Sequence, residues 1–513
     1  WMVRVDLGVL CIGTFTLWPT TNFYVRNLGL DISLIRVALV ALAVFVVCVA
    51  VYKLGSRLLP FGQERIAAVV SVGTFMFFAV QLIRSLLAMV GVQAGIMISW
   101  FSISVVAIVA IYVVVMNKQR LLLLTIFGGA GVMTALLGLF NVSSSEVAVV
   151  RGLGQGSNGS FVNKSGGEPL PNVYYIIVDA YARGDQLEKW ADFDNSGFHA
   201  SLKDRRFITL DKATSNYDST ILSIPSTLSM RYLITDKGRE IASFENALRI
   251  LHGDNATYEM FRQLDYKIVV SGSLLCNEDV DRCITRPFGI SRDLRMLFWM
   301  TPLPVAVSYI SPKLYGHISR EGIVPIHEMA SEVSKLKASP RFTMIHTMEV
   351  HDSSYGADCR FRSDLARTDL KRMNFVDRLL RDKKSYADSV RCTNKALLSL
   401  IDQILKEELD PLIVISADHG VLFSERSDGK FKRFERTNPA EGLSVLSSWR
   451  LPSSCQGLLY ESMSNVNHFR AIKACLTRKK PQYIRDISYW TKVKVFSLNK
   501  RKFDPKNLMP IEW

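Results

Sequence analysis

The segment PLIVISADHG, residues 411–420, decides the fold, because its β-branched run predicts a buried strand that ends at Asp418 and His419. A second segment of the same form, NVYYIIVDAYARGD at 172–185, ends its apolar run at Asp179. Both strands place chemically active side chains directly after their last apolar residue. The two segments therefore predict chemically active side chains at the same end of the sheet.

Three further segments extend this pattern of alternating helices and strands. FRQLDYKIVVSGS (261–273) predicts a helix and then a strand, RFTMIHTMEVHD (341–352) a strand with a polar end, and CTNKALLSLIDQILKEEL (392–409) a helix. Such alternation indicates an α/β domain with a mostly parallel central sheet covered by helices on both faces. In such sheets ligands bind at the carboxyl ends of the strands.

Asp179, Asp418 and His419 are the predicted metal ligands. Carboxylate and imidazole groups suit a divalent ion of the zinc type, and three protein ligands leave one coordination position open, as catalytic zinc sites do. For Asp418 and for Asp179 the alternative is an ordinary helix cap at a strand end. Another divalent cation such as Mn²⁺ is also compatible with these residue types.

Thr220 is the candidate nucleophile and lies in TSNYDSTILSIPSTLS, residues 214–229. A hydroxyl at the start of a helix benefits from the local amide groups, and a nearby metal ion would lower its pKa. The alternative is a Ser/Thr-rich loop with an ordinary N-cap, which this segment taken alone favours.

Three histidines are candidates for contact with the substrate. His346 and His351, in IHTMEVHDSSYG at 345–356, could hold a second metal or neutralise a phosphate. For His346 and His351 the alternative is a buried structural histidine. His468, in NVNHFRAI, is a weaker candidate for contact with substrate.

The first 140 residues predict a membrane anchor of five helices, since five long stretches carry almost no charge. Arg84, within the third stretch, is expected to face other helices or water. Lys and Arg concentrate around residues 53–65 and 118–120, which places the N-terminus and these loops in the cytoplasm. Everything after residue 140 then lies on the outer side. The predicted spans are Val5–Phe23, Leu34–Tyr52, Ile66–Val90, Ala94–Met116 and Leu121–Phe140.

Composition sharpens this division of the chain. The 513 residues carry 62 Lys and Arg against 47 Asp and Glu, a net charge of +15. We expect no nucleic-acid partner, because a translocated domain meets no chromosome and no basic cluster is interleaved with aromatics. Anionic lipid or glycan suits the basic excess better.

Residues 141–171 are rich in Gly and Ser and predict a linker to an outer domain at 172–513. The chain begins with Trp1 rather than Met, so we expect a longer natural N-terminus.

The 8 cysteines divide between the two regions, with Cys11 and Cys48 in predicted spans. The six others are expected to form disulfides in an oxidising compartment. Cys276–Cys283 is the favoured pair because it closes a short polar loop. Cys359–Cys392 and Cys455–Cys475 are secondary pairings, and six cysteines allow 15 connectivities.

Taken together in this order, the motifs resemble the alkaline-phosphatase/sulfatase superfamily. They look most like its membrane-anchored branch, which contains the lipid A phosphoethanolamine transferases and lipoteichoic acid synthases. STILSIPS resembles the nucleophile segment Thr-x-x-Ser-Val-Pro, with Thr220 on the nucleophile, and SADHG matches the metal motif Ser-Asp-His-Gly. IHTMEVHD resembles His-Thr-x-x-x-His, and Asp179 takes the place of a Glu.

The resemblance implies a sulfatase-like transferase in the bacterial inner membrane, with its catalytic domain on the periplasmic side. Zinc held by Asp179, Thr220, Asp418 and His419 would activate Thr220 against a phospholipid donor. The head group, phosphoethanolamine or phosphoglycerol, would pass through a phospho-threonine to a glycan or lipid acceptor. His351, and then His346 or His468, would steady the anionic transition state.

Departures from the family patterns leave other functions open. The Cys/Ser-x-Pro-x-Arg nucleophile of sulfatases is absent around Thr220, which disfavours sulfate-ester hydrolysis. Asn216 and Ser226 stand where the lipid A enzymes have cysteines, so the acceptor is expected to be another glycan or lipid. The alternatives are a phosphodiesterase or phosphatase of the same fold and a non-catalytic membrane-anchored protein that binds glycan.

Overall fold

The computed structural model divides the chain into two units. One comprises Trp1–Leu153 with Phe288–Glu321, and the other Gly154–Pro287 with Gly322–Trp513. The segment 288–321 thus groups with the N-terminal helices, although the sequence analysis placed it within the outer domain. The predicted domain boundaries at residues 140 and 172 stay a prediction. The residues that the structure describes are 6–26, 33–80, 83, 96–142, 170–235, 238–239, 244–272, 275–276, 280–284, 292–311, 324–337, 339–351, 355–360, 375–421, 438–491 and 508–513.

The N-terminal unit contains a helix in each of the five stretches predicted to span a membrane. Residues 143–169 of the predicted linker, and Arg84, lie outside the described residues. The five helices are α1 (Leu7–Arg26), α2 (Leu34–Leu58), α3 (Gln63–Phe78), α4 (Ile96–Val114) and α5 (Lys118–Val142).

Helix α1 packs closely against α5 because glycines on α5 leave room for aromatic rings. A Cβ built at Gly131 would lie 2.2 Å from the Trp18 ring, and one at Gly128 would lie 2.8 Å from Phe15. Small residues at such contacts let helix backbones approach each other without help from solvent-driven burial. This packing is therefore of the kind that membrane helices use.

Within the described residues, two helices are long and apolar enough to cross a membrane. They are Leu34–Leu58 and Lys118–Leu136, and the apolar helix Trp100–Val114 is shorter. The prediction of five spans is thus supported by helix positions in all five stretches and by length and composition in two. A five-span anchor stays a prediction.

The second unit is built on a mixed, mostly parallel sheet of seven strands in the order β2-β9-β8-β1-β7-β5-β6. Strands β8, β1, β7, β5 and β6 run parallel, while β9 and β2 are antiparallel at one edge. The central strands are wholly buried, as their unbroken apolar runs predicted. The strands are β1 (Val173–Val178), β2 (Ile208–Thr209), β5 (Lys267–Ser271), β6 (Arg282–Ile284), β7 (Arg341–Thr347), β8 (Leu412–Ser416) and β9 (Ser447–Arg450).

Helices connect these strands and cover the sheet, and two small ribbons complete the second unit. The fold class predicted from the sequence, an N-terminal helical bundle followed by an α/β domain with a mostly parallel sheet, is confirmed. The ribbons pair β3 (Ile234–Thr235) with β4 (Gly238–Arg239) and β10 (Ser488–Thr491) with β11 (Leu508–Ile511). The helices are α6 (Gly184–Ala191), α7 (Ser196–Asp204), α8 (Thr220–Ser229), α9 (Phe244–Leu251), α10 (Ala256–Gln263), α11 (Arg292–Trp299), α12 (Leu303–Ile310), α13 (Ile326–Val333), α14 (Phe375–Glu407), α15 (Pro439–Leu443) and α16 (His468–Thr477), of which α11 and α12 belong to the helical unit.

Two disulfides link segments of the second unit, and they correct one sequence prediction. The bonds are Cys359–Cys392 and Cys455–Cys475, the two secondary pairings. The favoured pair is not bonded: Cys276 and Cys283 are thiols, and their side chains hydrogen-bond to each other. Cys283 lies on β6 and pairs with Val270 of the parallel strand β5, and Cys276 follows the end of β5. The two cysteines are therefore close in sequence because they lie on and beside paired strands.

Candidate active site

Asp179 and Asp418 come together because their strands are neighbours. Strands β1 and β8 pair in parallel, so Asp179, one residue after β1, lies beside Asp418, two residues after β8. The amide N–H of Ala180 donates to Asp418 Oδ1 at 3.3 Å. Both carboxylates are buried, at 0% and 2% exposure. The predicted meeting of the two strand ends is therefore observed.

The turn after Asp179 is held in an uncommon conformation. Ala180 has a φ of 58°, in the left-handed region that non-glycine residues rarely adopt. The Tyr386 hydroxyl donates to the Ala180 carbonyl at 2.8 Å and accepts from the Ala182 amide at 3.0 Å. This buried clamp from α14 fixes the direction in which the Asp179 carboxylate leaves the strand.

Thr220 stands at the first position of α8, directly after its N-cap Ser219. Its hydroxyl donates to Asp179 Oδ2 at 3.3 Å and lies 3.3 Å from His419 Nε2. The unpaired amide groups of the first helical turn create a local positive potential, which stabilises negative charge developing on the Thr220 oxygen. The predicted nucleophile and the predicted ligands thus lie in one cluster.

Ser215 ties the Thr220 segment to the strand end that carries Asp418. Its buried hydroxyl contacts the main-chain carbonyl of Asp418 and lies 2.9 Å from the Ser223 hydroxyl on α8. Sequence reasoning missed this residue. A buried serine five positions before the nucleophile has no distinguishing pattern in a Ser/Thr-rich stretch.

The tautomer of His419 is fixed by its own turn. Nδ1 lies 2.7 Å from the Gly420 carbonyl, and because a carbonyl can only accept, Nδ1 carries the proton. In the neutral ring, Nε2 then presents its lone pair to the cluster. It lies 3.5 Å from Asp179 Oδ1 and 3.7 Å from Asp418 Oδ2.

Asp179, Asp418 and His419 fit a divalent metal ion. One ligand atom from each of the three lies within 4.8 Å of the other two. Asp179 Oδ1 and Asp418 Oδ2 are buried and have no hydrogen-bond partner among the described residues, which is costly for a charged oxygen unless a cation is bound there. Two carboxylates and one imidazole are suitable zinc ligands, with the Thr220 oxygen adjacent.

His346 is a hydrogen-bond partner of Asp179, and its predicted contact with substrate stays a prediction. It lies on β7, paired with β1, and its Nε2–H donates to Asp179 Oδ2 at 3.1 Å. The ring is 4% exposed and is turned to the carboxylate. Such hydrogen bonds from a second layer of residues orient a metal ligand.

The electrostatic balance of the cluster favours a charged Asp179. Burial alone would raise the pKa of Asp179, but the hydrogen bond from His346 and the charges of His419, His346 and His351 hold it well below its usual range. Burial would lower the pKa of His419, but the charges of Asp418 and Asp179 raise it overall. The carboxylates and the imidazole thus stabilise one another's charged forms.

His351 is the predicted substrate contact that remains accessible. It lies exposed after β7, and its ring centroid is 6.2 Å from that of His419. A side chain in this place can reach an anionic group bound beside Thr220.

His468 is not a substrate contact, which corrects the sequence prediction. Its ring is fully buried, its Nδ1 lies 2.8 Å from the Tyr175 hydroxyl, and it packs edge-on against Trp449. Burial lowers the pKa of His468 to about 3. It is a neutral histidine of the core.

Comparisons with known proteins place these motifs among similar folds. No family model matches the chain, and no curated protein matches it. Among solved structures, the chain is similar to the C-terminal periplasmic domain of EptC from Escherichia coli in complex with Zn. The identity is 12%, the TM-score is 0.44, and 68% of this chain and 96% of that chain are covered.

Two further similar structures are an integral membrane transferase and a lipoteichoic acid synthase. The integral membrane lipooligosaccharide phosphoethanolamine transferase A from Neisseria meningitidis shows 11% identity and a TM-score of 0.37 over 91% of this chain and 95% of that chain. The lipoteichoic acid synthase LtaP from Listeria monocytogenes shows 12% identity and a TM-score of 0.35 over 65% and 79%. These are the kinds of protein that the motifs resemble. At such TM-scores, the activity of this chain has to be inferred from its own site.

Proposed function

We propose that this protein is a metal-dependent transferase that moves a phospho-head group from a phospholipid to an envelope glycan or lipid. The observation that carries the proposal is the position of the Thr220 hydroxyl. It lies 3.3 Å from both Asp179 Oδ2 and His419 Nε2, at the start of a helix and beside two buried, unsatisfied carboxylate oxygens. A hydroxyl in such surroundings is arranged to act as a nucleophile.

A zinc ion, or another divalent cation such as Mn²⁺, would be held by Asp179, Asp418 and His419 with the Thr220 oxygen as a further ligand. When bound, it would supply positive charge that lowers the pKa of the threonine hydroxyl and stabilises the phosphoryl oxygens. His346 keeps Asp179 oriented and Ser215 keeps the Thr220 segment against Asp418.

The reaction proceeds in two displacements at phosphorus. In the first, Thr220 Oγ1 loses its proton and forms a bond to phosphorus, and the bond from phosphorus to the diacylglycerol oxygen breaks. Diacylglycerol leaves as an alcohol, and the head group stays on Thr220 as a phosphodiester. In the second, an acceptor hydroxyl bonds to phosphorus, the bond to Thr220 breaks, and the threonine hydroxyl is restored.

The head group is phosphoethanolamine or phosphoglycerol. His351, exposed beside His419, is placed to neutralise the phosphoryl oxygens during both displacements. Transfer and hydrolysis share the first displacement and differ only in whether a glycan hydroxyl or water makes the second. A phosphodiesterase or phosphatase is thus the nearest alternative. A non-catalytic glycan-binding protein would not need the buried cluster of Asp179, Asp418 and His419.

The proposed location is the bacterial inner membrane, with the catalytic domain (172–513) on the periplasmic side of a five-helix anchor (1–140) and a linker at 141–171. Support comes from the apolar surfaces of the helical unit, where large apolar side chains are more than half exposed. In water such a surface would be unstable, whereas in lipid it is favourable. They include Leu34, Ile35, Val47 and Leu58 on α2, Phe101, Val106 and Val113 on α4, and Leu123 and Phe127 on α5.

Mass spectrometry of the Thr220 peptide after incubation with labelled phosphatidylethanolamine or phosphatidylglycerol tests the proposal. We expect the mass of one head-group phosphate on Thr220, and loss of that adduct and of turnover in Thr220→Ala. Thr220→Ser keeps the hydroxyl and is the matched variant, so it is expected to retain the adduct. A Thr220→Ala variant of unchanged turnover would rule out the mechanism.

Separating the labelled products distinguishes transfer from hydrolysis. Label in a glycan or lipid acceptor supports the transferase, and free labelled head group in the presence of envelope glycan supports the hydrolase. A folded parent protein that binds no zinc and forms no adduct would leave only the glycan-binding alternative.

A further inference from the structure

Two short helices interrupt the outer domain in sequence yet belong to the helical unit in space. Helices α11 and α12 lie between β6 and β7 along the chain, but they group with the N-terminal helices. Helix α11 packs against α2. Of the described helices, α2 has the highest hydropathy among those long enough to cross a membrane.

Neither helix can cross a bilayer. Each has 8 residues, and at about 1.5 Å per residue this gives roughly 12 Å against the ~30 Å of a hydrocarbon core. Pro302 is the N-cap of α12 and Pro304 lies in its first turn, and the two prolines prevent one continuous helix. A helical segment of this length that accompanies membrane helices lies along the interface instead.

The exposed surface of the pair is apolar and aromatic. Ile310 is 84% exposed and Leu303 is 42% exposed, while Leu297 is buried. The rings of Phe298 and Trp299 stand edge to face, with their centroids 6.3 Å apart. Tryptophan is enriched where membrane meets water, because its ring is apolar and its N–H is polar. The segment 288–321 also has four basic residues against two acidic ones, which suits anionic lipid.

We propose that α11 and α12 form a lipid-surface platform that lies on the outer face of the bilayer that holds α2. The platform rests on the proposed membrane anchoring. The apolar side chains of Leu303 and Ile310 enter the head-group region, and the bilayer removes them from water.

Fluorescence quenching by brominated phospholipids tests the platform without any assay of activity. The full chain is placed as a single copy in lipid nanodiscs whose acyl chains carry bromine either near the head groups or near the methyl ends. We expect Trp299→Phe to reduce the quenchable fluorescence, and more so with shallow bromines than with deep ones. The control Trp513→Phe removes an exposed tryptophan of the other unit and should leave the quenching unchanged.

Unchanged quenching in Trp299→Phe would overturn the platform, because the ring would then be covered by protein, and the single copy per disc excludes a second chain. Greater quenching from the deep bromines would also overturn the interfacial position. Either result leaves the proposed chemistry at Thr220 untouched.

Discussion

The carboxylate of Asp179 meets three other site residues at once. His346 and Thr220 both hydrogen-bond to Oδ2, and His419 approaches Oδ1. The position of Asp179 after an apolar strand could be predicted from the sequence, because the change from apolar to acidic residues marks the strand end. The histidine that would hydrogen-bond to Asp179 could not be predicted, because residue type does not show which way an imidazole ring points.

His468 shows the limit of residue type most clearly. In the sequence His468 looks like the other candidate histidines, yet in the fold it contacts Tyr175 and Trp449 in the core. Its burial follows from the packing of α16 against the sheet, and that packing involves residues far away in the sequence, such as Tyr175.

The buried His468 is expected to weaken the fold in acid. Its folded pKa of about 3 is below the unfolded value of about 6.5, so below pH 6.5 the unfolded state binds the extra proton. The free energy of unfolding should fall by about 1.4 kcal/mol per pH unit, or ~2 kcal/mol at pH 5. In thermal unfolding at pH 7 and pH 5, His468→Gln should show a smaller acid loss than the parent.

The exposed His327 supplies the control for that measurement. His327→Gln should leave the difference between the two pH values as it is in the parent. If His468→Gln and the parent lose equal stability between pH 7 and pH 5, the buried imidazole does not govern the acid response.

At the scale of elements, the strands and their ends followed from local pattern, and the contacts between distant elements did not. The apolar runs of β1, β7 and β8 predicted parallel strands, and the helix beginning at Thr220 was expected. The grouping of α11 and α12 with the membrane helices was missed, because amphipathic 8-residue helices look alike in either unit. The thiol pair Cys276 and Cys283 was misread for a similar reason, as loop spacing does not reveal strand register.

The turn that carries His419 is enclosed by α15. The amide of Gly420 donates to the Gly442 carbonyl at 2.8 Å, and a Cβ at Gly420 would lie 2.2 Å from the Glu441 carbonyl oxygen. No side chain tolerates that distance, so any larger residue must displace the backbone beside His419.

Gly420→Ala is therefore expected to lower zinc affinity by at least tenfold and the free energy of unfolding by about 1–3 kcal/mol. Isothermal titration with Zn²⁺ and thermal unfolding would measure both. Gly197→Ala, where a Cβ meets nothing within 4 Å, should change neither. Parent-like zinc affinity in Gly420→Ala would mean that the turn adapts without moving His419.

At the scale of the molecule, the basic residues of the predicted cytoplasmic loops give an orientation that labelling can check. A cysteine at Gly197 in the second unit should react with a membrane-impermeant maleimide in intact spheroplasts. A cysteine at Asn117, in the turn between α4 and α5, should react only after permeabilisation. The parent chain gives the background from its thiols Cys11, Cys48, Cys276 and Cys283. The reverse labelling pattern would invert the proposed topology.

The strand order also determines how long β1 waits during synthesis for the strands that pair with it. Ala180 and its hydrogen-bond partner Asp418 are 238 positions apart, and β1 lies between two strands that both come much later in the chain. At about 5–20 residues per second, the ribosome needs roughly 12–48 s to deliver the second neighbour of β1. Until then, at least one edge of the apolar strand β1 stays unpaired. We therefore expect the yield of the protein to depend on the supply of chaperones that hold the nascent chain, before any effect on catalysis appears.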